Sequence, residues 1–132
     1  MTILQSPLVL VAEHHDDTRS MLRELFSIHG VSVAECGNGD AAVEEALRIR
    51  PDVILLDGRL PGLDSLAVVR RLRDTSATHN VRIVFVSDDG GPGDEARARA
   101  AGSDHYLLKP VNLDELLALV RLSPSGSVHP EL

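Results

Sequence analysis

The sequence predicts an α/β domain: a doubly wound, five-stranded parallel sheet of order 2-1-3-4-5, with five helices on its two faces. Three observations predict it. Five short apolar runs alternate with five segments of helical period. The first, third and fourth runs are continuously apolar, as strands buried on both faces of a parallel sheet must be. The connections are short, and a strand–helix–strand unit in one parallel sheet crosses over right-handed. Such units fit a flavodoxin-like arrangement, whose ligand site lies at the carboxyl ends of the strands.

The expected strands are Leu8–Ala12, Val31–Ala34, Val53–Leu56, Ile83–Val86 and Tyr106–Leu108. Between the first two, a helix is expected from about Asp17 to His29. Asp16 or Asp17 caps it, Met21, Leu22, Leu25 and Ile28 form its inner stripe, and Gly30 stops it. The second helix follows Asn38-Gly39-Asp40, buries Ala42, Val43, Ala46 and Leu47, and ends before Pro51. The third opens at Asp64 and carries Leu66, Val69 and Leu72 at helical spacing. The fourth, Glu95–Ala101, offers the core only alanines. Two outcomes are open for it: a weakly docked, mobile element, or one packed close through its small side chains. Asn112 caps the fifth helix, with Glu115 at capping-box spacing ahead of Leu116, Leu117, Leu119 and Val120.

A chain of 132 residues holds one domain, expected at 1–122, and the small, polar, Pro-containing stretch 123–132 reads as a flexible tail or the start of a linker. With 43% hydrophobic and 25% charged residues it has the composition of a soluble globular protein. A net charge of -7 and three aromatics (two Phe, one Tyr) argue against a nucleic-acid surface, which needs clustered Lys and Arg and stacking platforms. Cys36 is the single cysteine, so no internal disulfide forms, and a small buried thiol is expected there. The first apolar run ends at Glu13 and lacks a basic leader, which excludes a signal peptide or membrane span and points to the cytoplasm.

Four chemistry-bearing groups stand where the buried strands end: Glu13-His14, Asp57, Ser87 and Lys109. A carboxylate nucleophile, a cation for developing charge and a hydroxyl for an equatorial oxygen together suit a phosphoryl group. Taken singly, each has a plainer role. Asp57 can cap or solvate its loop, Lys109 can be a surface lysine, Ser87 a turn residue and Tyr106 plain packing. Gly90-Gly91-Pro92-Gly93 is not a phosphate-cradling loop, because no Lys-Ser/Thr pair follows it.

Segment Pro51–Asp64 (PDVILLDGRLPGLD), with Val84-Phe85-Val86-Ser87, Ala101-Gly102-Ser103-Asp104, Tyr106-Leu107-Leu108-Lys109-Pro110 and the start Leu8–Glu13, resembles the receiver domains of response regulators over roughly residues 7 to 122. The resemblance implies a two-component signalling module more than a turnover enzyme, with at most slow self-phosphorylation and autodephosphorylation. Asp57 matches the phosphoacceptor of a partner histidine kinase or phosphotransfer protein. Lys109 matches the lysine that pairs with that carboxylate, Ser87 the hydroxyl that turns toward the phosphate, and Tyr106 the aromatic that follows it. The Lys109-Pro110 bond is usually cis in the family. Mg²⁺ is implied at Glu13, Asp57 and the backbone carbonyl of Arg59. An output partner is implied on the face of the fourth helix, fifth strand and fifth helix. Arg59 and Asp89 match positions flanking the phosphoryl pocket, either as an ion pair or as two solvated rim charges.

The chain departs from this pattern at His14, where receivers carry a second acidic residue. Imidazole is a poor ligand for a hard, oxygen-seeking cation, so weaker Mg²⁺ binding is expected. Three readings stay open: a tolerated substitution, a phosphorylation-independent docking module, or a softer divalent metal held by His14 and His15.

Overall fold

The chain alternates strand and helix throughout: β1 (Leu8–Ala12), α1 (Asp16–Ile28), β2 (Ser32–Cys36), α2 (Gly39–Ile49), β3 (Val53–Asp57), α3 (Ser65–Asp74), a 3₁₀ turn (Ser76–Thr78), β4 (Arg82–Ser87), α4 (Asp94–Ala101), β5 (His105–Leu108) and α5 (Leu113–Val120). These come from a computed structural model that describes residues 6–88 and 90–121, so Asp89 and the stretch expected as a tail lie outside the described residues. All strand pairs are parallel, in the order β2-β1-β3-β4-β5. The expected doubly wound fold is therefore the observed one. No described helix is long and apolar enough to cross a membrane.

Alternation along the strands builds two core layers. Leu10, Ile54, Leu56, Ile83 and Phe85 face one side, where α2, α3 and α4 supply Ala42, Ala46, Val68, Leu72 and Ala98. Val9, Val11, Val53, Leu55, Val84 and Val86 face the other, against Leu22 and Phe26 of α1 and Leu116 and Val120 of α5. Burial on both faces explains the unbroken apolar runs. Each fully buried Leu, Ile or Phe contributes roughly 2 kcal/mol of transfer free energy.

Helix α1 corrects the expected stripe. Leu22 and Phe26, four apart, are its buried residues, while Met21 is 54% and Ile28 79% exposed. At about 100° per residue, Ile28 lies roughly 200° around the helix from Phe26 and cannot share its face. The cap differs too: α1 starts at Asp16, His15 holds the cap position without a side-chain bond to the helix N–H groups, and the Asp16 carboxylate pairs with Arg19. Helix α2 starts earlier than expected, at Gly39, because Asn38 caps it by accepting the Ala41 N–H, and Leu47, expected to be buried, is exposed. Asp64 and Asn112 cap α3 and α5 as expected. Strand β2 runs on to Cys36, beyond the expected end at Ala34, because Glu35 and Cys36 pair with Val11 and Ala12 of β1, and Arg19 and Arg23 offset the charge of Glu35. Burial pushes the Cys36 thiol up to about 11, in keeping with a small buried side chain.

Helix α4 is docked through Ala98, fully buried, and Ala101. The turn after β3 is pressed onto α2: Gly39 donates to the Pro61 carbonyl at 2.9 Å, and a Cβ on Gly39 would lie 1.9 Å from the Leu63 carbonyl oxygen. Only glycine fits that approach.

Candidate functional site

Hydrogen bonds one step beyond the strands hold the chemistry-bearing residues at the carboxyl end of the sheet. Glu13 N–H donates to the Cys36 carbonyl at 3.0 Å, Gly58 to Val86 at 2.8 Å and Lys109 to Ser87 at 2.9 Å. Buried Ser65 ties down Asp57 from α3, its hydroxyl donating to the Asp57 carbonyl at 2.7 Å. The Lys109-Pro110 bond is cis.

Strand parity then sorts the side chains. Glu13 and Asp57 follow Val9, Val11, Val53 and Leu55, so they emerge on the α1/α5 side, and Lys109 follows Leu107 there. Lys109 Nζ lies 3.3 Å from Glu13 Oε1, 3.6 Å from Asp57 Oδ1 and 3.4 Å from Asp88 Oδ1. Asp57 Oδ1 also accepts the Arg59 N–H at 3.0 Å. Glu13 and Asp57 are buried, which makes their shared ammonium the main compensation for two desolvated charges. A cavity of about 370 Å³ opens beside them between α1 and α5, with Val11, Leu22, Leu55, Val86 and Leu116 among its walls.

The electrostatics follow from that packing. Burial, and then the neighbouring Glu13 carboxylate, hold the Asp57 carboxyl above its usual range against the Arg59 N–H and Lys109. Burial also works to raise Glu13, but bonds from the His15 N–H and ring, with the Lys109 ammonium, outweigh it and hold Glu13 below its usual range. Burial works to lower Lys109, and three carboxylates (Asp57, Glu13 and Asp88) raise it instead.

Ser87 and Tyr106 have the other parity and form a separate group. Tyr106 packs against the layer beneath α4, stacked on Phe85 at a ring separation of 6.2 Å. Its hydroxyl donates to Asp94 in the first turn of α4, and the Ser87 hydroxyl joins the same contact. Those bonds hold the Asp94 carboxyl below its usual range.

Two residues of this region, Asp88 and Asp94, were not singled out by the sequence, and a third, His15, was expected only as a partner of His14. Asp88 bridges Lys109 and Arg59, whose Nε lies 3.4 Å from Asp88 Oδ2. The expected partner of Arg59, Asp89, lies outside the described residues. Extending the strand-end reading one residue past Ser87 could have found Asp88. Asp94 carries no local signal, because it meets Tyr106 only through the docking of α4. The third is His15: its Nδ1 lies 3.0 Å from Glu13 Oε2, while His14 is exposed and outside the group that Glu13, His15 and Asp57 form.

Comparison with known proteins agrees with this architecture. The chain matches the response regulator receiver domain family over residues 9–121. It is 35% identical over 113 residues to the response regulator MprA of Mycobacterium leprae, covering 86% of this chain and 49% of that protein. The chain thus spans about half the length of that curated relative. A response regulator structure from Chloroflexus aurantiacus superposes with a TM-score of 0.82 at 25% identity, covering 88% of this chain and 95% of that one. The receiver domain of sensor histidine kinase PA1611 from Pseudomonas aeruginosa, solved with a magnesium ion coordinated in its active-site cleft, gives a TM-score of 0.80 at 29% identity over 87% of this chain and 94% of that one. Fold, strand-end residues and sequence match converge, and this chain belongs to the response regulator receiver domain family of two-component signalling systems.

Proposed function

We propose that Asp57 accepts a phosphoryl group from the phosphohistidine of a partner histidine kinase or phosphotransfer protein. The observation that carries this reading is the buried Asp57 carboxylate held within reach of the Lys109 ammonium at the carboxyl end of the sheet. An Asp57 oxygen attacks phosphorus, the phosphorus–nitrogen bond breaks, and the partner's imidazole leaves with its electron pair. Burial and Glu13 raise the basicity of the nucleophile. Lys109 then offsets charge on the phosphoryl oxygens, and the Ser87 hydroxyl supplies a further donor once it leaves Asp94.

The donor set fits a divalent cation. Glu13, Asp57 and Asp88 set three carboxylates against one ammonium, and two of the three are buried. Glu13, Asp57 and the Arg59 backbone carbonyl would hold Mg²⁺, an ion that the PA1611 receiver domain was solved with in its active-site cleft. When bound, it supplies positive charge that offsets the transferring phosphoryl group. His14 leaves the set one carboxylate short, so Mg²⁺ binds more weakly than at a site with the full acidic pair.

Output passes through the α4–β5–α5 face, where Leu108 is 51% exposed beside Tyr106 and Gly90. Phosphorylation draws Ser87 away from Asp94, which frees Tyr106 and α4 to change that face.

One observation favours a second reading, a docking module independent of phosphorylation: His14 stands where receivers carry a second acidic residue. Intact mass after incubation with Mg²⁺ and acetyl phosphate separates the two. An adduct of one phosphoryl group that Asp57→Ala abolishes supports the switch. A folded protein that takes up none at high Mg²⁺ overturns the switch and leaves the docking module.

A further inference from the structure

We propose that His15 completes a mixed nitrogen–oxygen metal site with Glu13 and Asp57, which selects a first-row transition dication such as Mn²⁺ or Zn²⁺ over Mg²⁺. The inference rests on the reading of Glu13 and Asp57 as the metal-holding carboxylates and names a further ligand.

The geometry is that of a coordination edge. His15 Nδ1 lies 3.0 Å from Glu13 Oε2. Two ligands at right angles around a dication, with bonds of about 2.1 Å, are about 3.0 Å apart, and opposed ligands about 4.2 Å. One ligand atom each from Glu13, His15 and Asp57 fall within 4.8 Å of one another. Side-chain adjustments below an ångström therefore close the set.

Glu13 divides its oxygens between two neighbours. Oε1 faces Lys109 Nζ at 3.3 Å, and Oε2 accepts the His15 backbone N–H at 3.0 Å and faces the His15 ring. A metal on the Oε2 side leaves the Lys109 pair in place. The backbone bond orients that oxygen, as groups behind metal ligands do. The His15 side chain is 68% exposed, so an ion arriving from solvent can reach its ring, whereas both carboxylates are buried.

Chemistry sets the preference. Mg²⁺ takes oxygen ligands and gains little from imidazole, whereas Mn²⁺, and more so Zn²⁺, gain affinity from a nitrogen donor. The chain thus loses a carboxylate at His14 and offers an imidazole one residue later. His14 lies outside the group and serves as the control.

The test is isothermal titration calorimetry of the full chain with MgCl₂ and ZnCl₂, with pulsed electron paramagnetic resonance of bound Mn²⁺. The variants are His15→Ala, His14→Ala and Asp57→Asn. The expected result is at least a tenfold loss of Zn²⁺ affinity in His15→Ala, with Mg²⁺ affinity changed less than twofold. His14→Ala should match the parent. A histidine nitrogen coupling to Mn²⁺ should be present in the parent and absent in His15→Ala. Zn²⁺ affinity and nitrogen coupling unchanged in His15→Ala overturn the proposal. If Mg²⁺ still binds and Asp57→Asn removes it, only the role of His15 falls. If Asp57→Asn alters binding of neither ion, the carboxylate reading falls with it.

Discussion

Glu13 and Lys109, 96 positions apart in the chain, meet at 3.3 Å across the carboxyl end of the sheet. The same ammonium lies 3.6 Å from Asp57, so one partly buried cation compensates two buried carboxylates. Removing one partner of such a group leaves the others desolvated and unpaired. Lys109→Met should therefore destabilise the fold by about 2 kcal/mol, below the usual cost of a fully buried pair because Lys109 keeps some solvent. Urea unfolding at neutral pH measures this. A change within about 0.5 kcal/mol, the size typical of a solvated surface lysine, would show that solvent already screens the pair.

Asp57 gives the opposite sign. Its carboxyl sits above its usual range, first through burial and then through Glu13. An acid raised in the folded state is protonated below that raised value, and stability falls as pH rises through it. At neutral pH the charged Asp57 thus costs the fold stability. Asp57→Asn should be more stable than the parent by about 1 kcal/mol there, a gap that narrows on acidification through the carboxylate range. Thermal unfolding of both proteins as pH is lowered checks it, and a gap that stays constant or widens counts against the assignment.

Tyr106 is the single tyrosine, so its titration can be followed by absorbance without overlap. Burial and the bond to Asp94 raise its phenol above the usual range. Asp94→Asn removes the charge that favours the protonated phenol, so the midpoint should move down toward that of free tyrosine. Tyr106→Phe should cost about 1 kcal/mol, the net worth of an ordinary hydrogen bond. Combined with Asp94→Asn it should cost less than the two single changes summed, because both remove one contact. Additive losses would mean that the two residues are not coupled.

Arg73 ties the far end of the domain together. Its guanidinium donates to the carbonyls of Gly102, His79 and Val81 and pairs with Asp104, all within 2.6–2.9 Å. Arg73→Ala should cost about 2 kcal/mol, and Arg73→Lys should recover little of it, since an ammonium cannot span a planar fork of acceptors. Phosphoryl uptake by the folded variant should match the parent, because the strap lies away from Asp57. Chemical denaturation and intact mass check the two halves.

Much of this was legible in the residues. The unbroken runs at β1, β3 and β4 declared strands covered on both faces, and β1 is observed at its expected ends. Asp64 and Asn112 cap helices because a short side-chain acceptor before an apolar period satisfies orphan N–H groups. The candidate site was legible in part because a strand buried on both faces is apolar along its length, which makes Asp57 conspicuous at the end of β3. Periodicity failed in α1, where Met21, Leu22, Leu25, Phe26 and Ile28 permit more than one stripe. The sheet beneath chose Leu22 and Phe26.

By itself the sequence determined the strand–helix order, the doubly wound topology and the residues that end each buried strand. Those depend on local patterns of burial and capping. Only the tertiary structure decided which further side chains meet: Lys109 with Glu13, Tyr106 with Asp94, and His15 rather than His14 with Glu13. Strand parity and helix docking place groups far apart in the chain within a few ångströms, and no local pattern of residues encodes that distance.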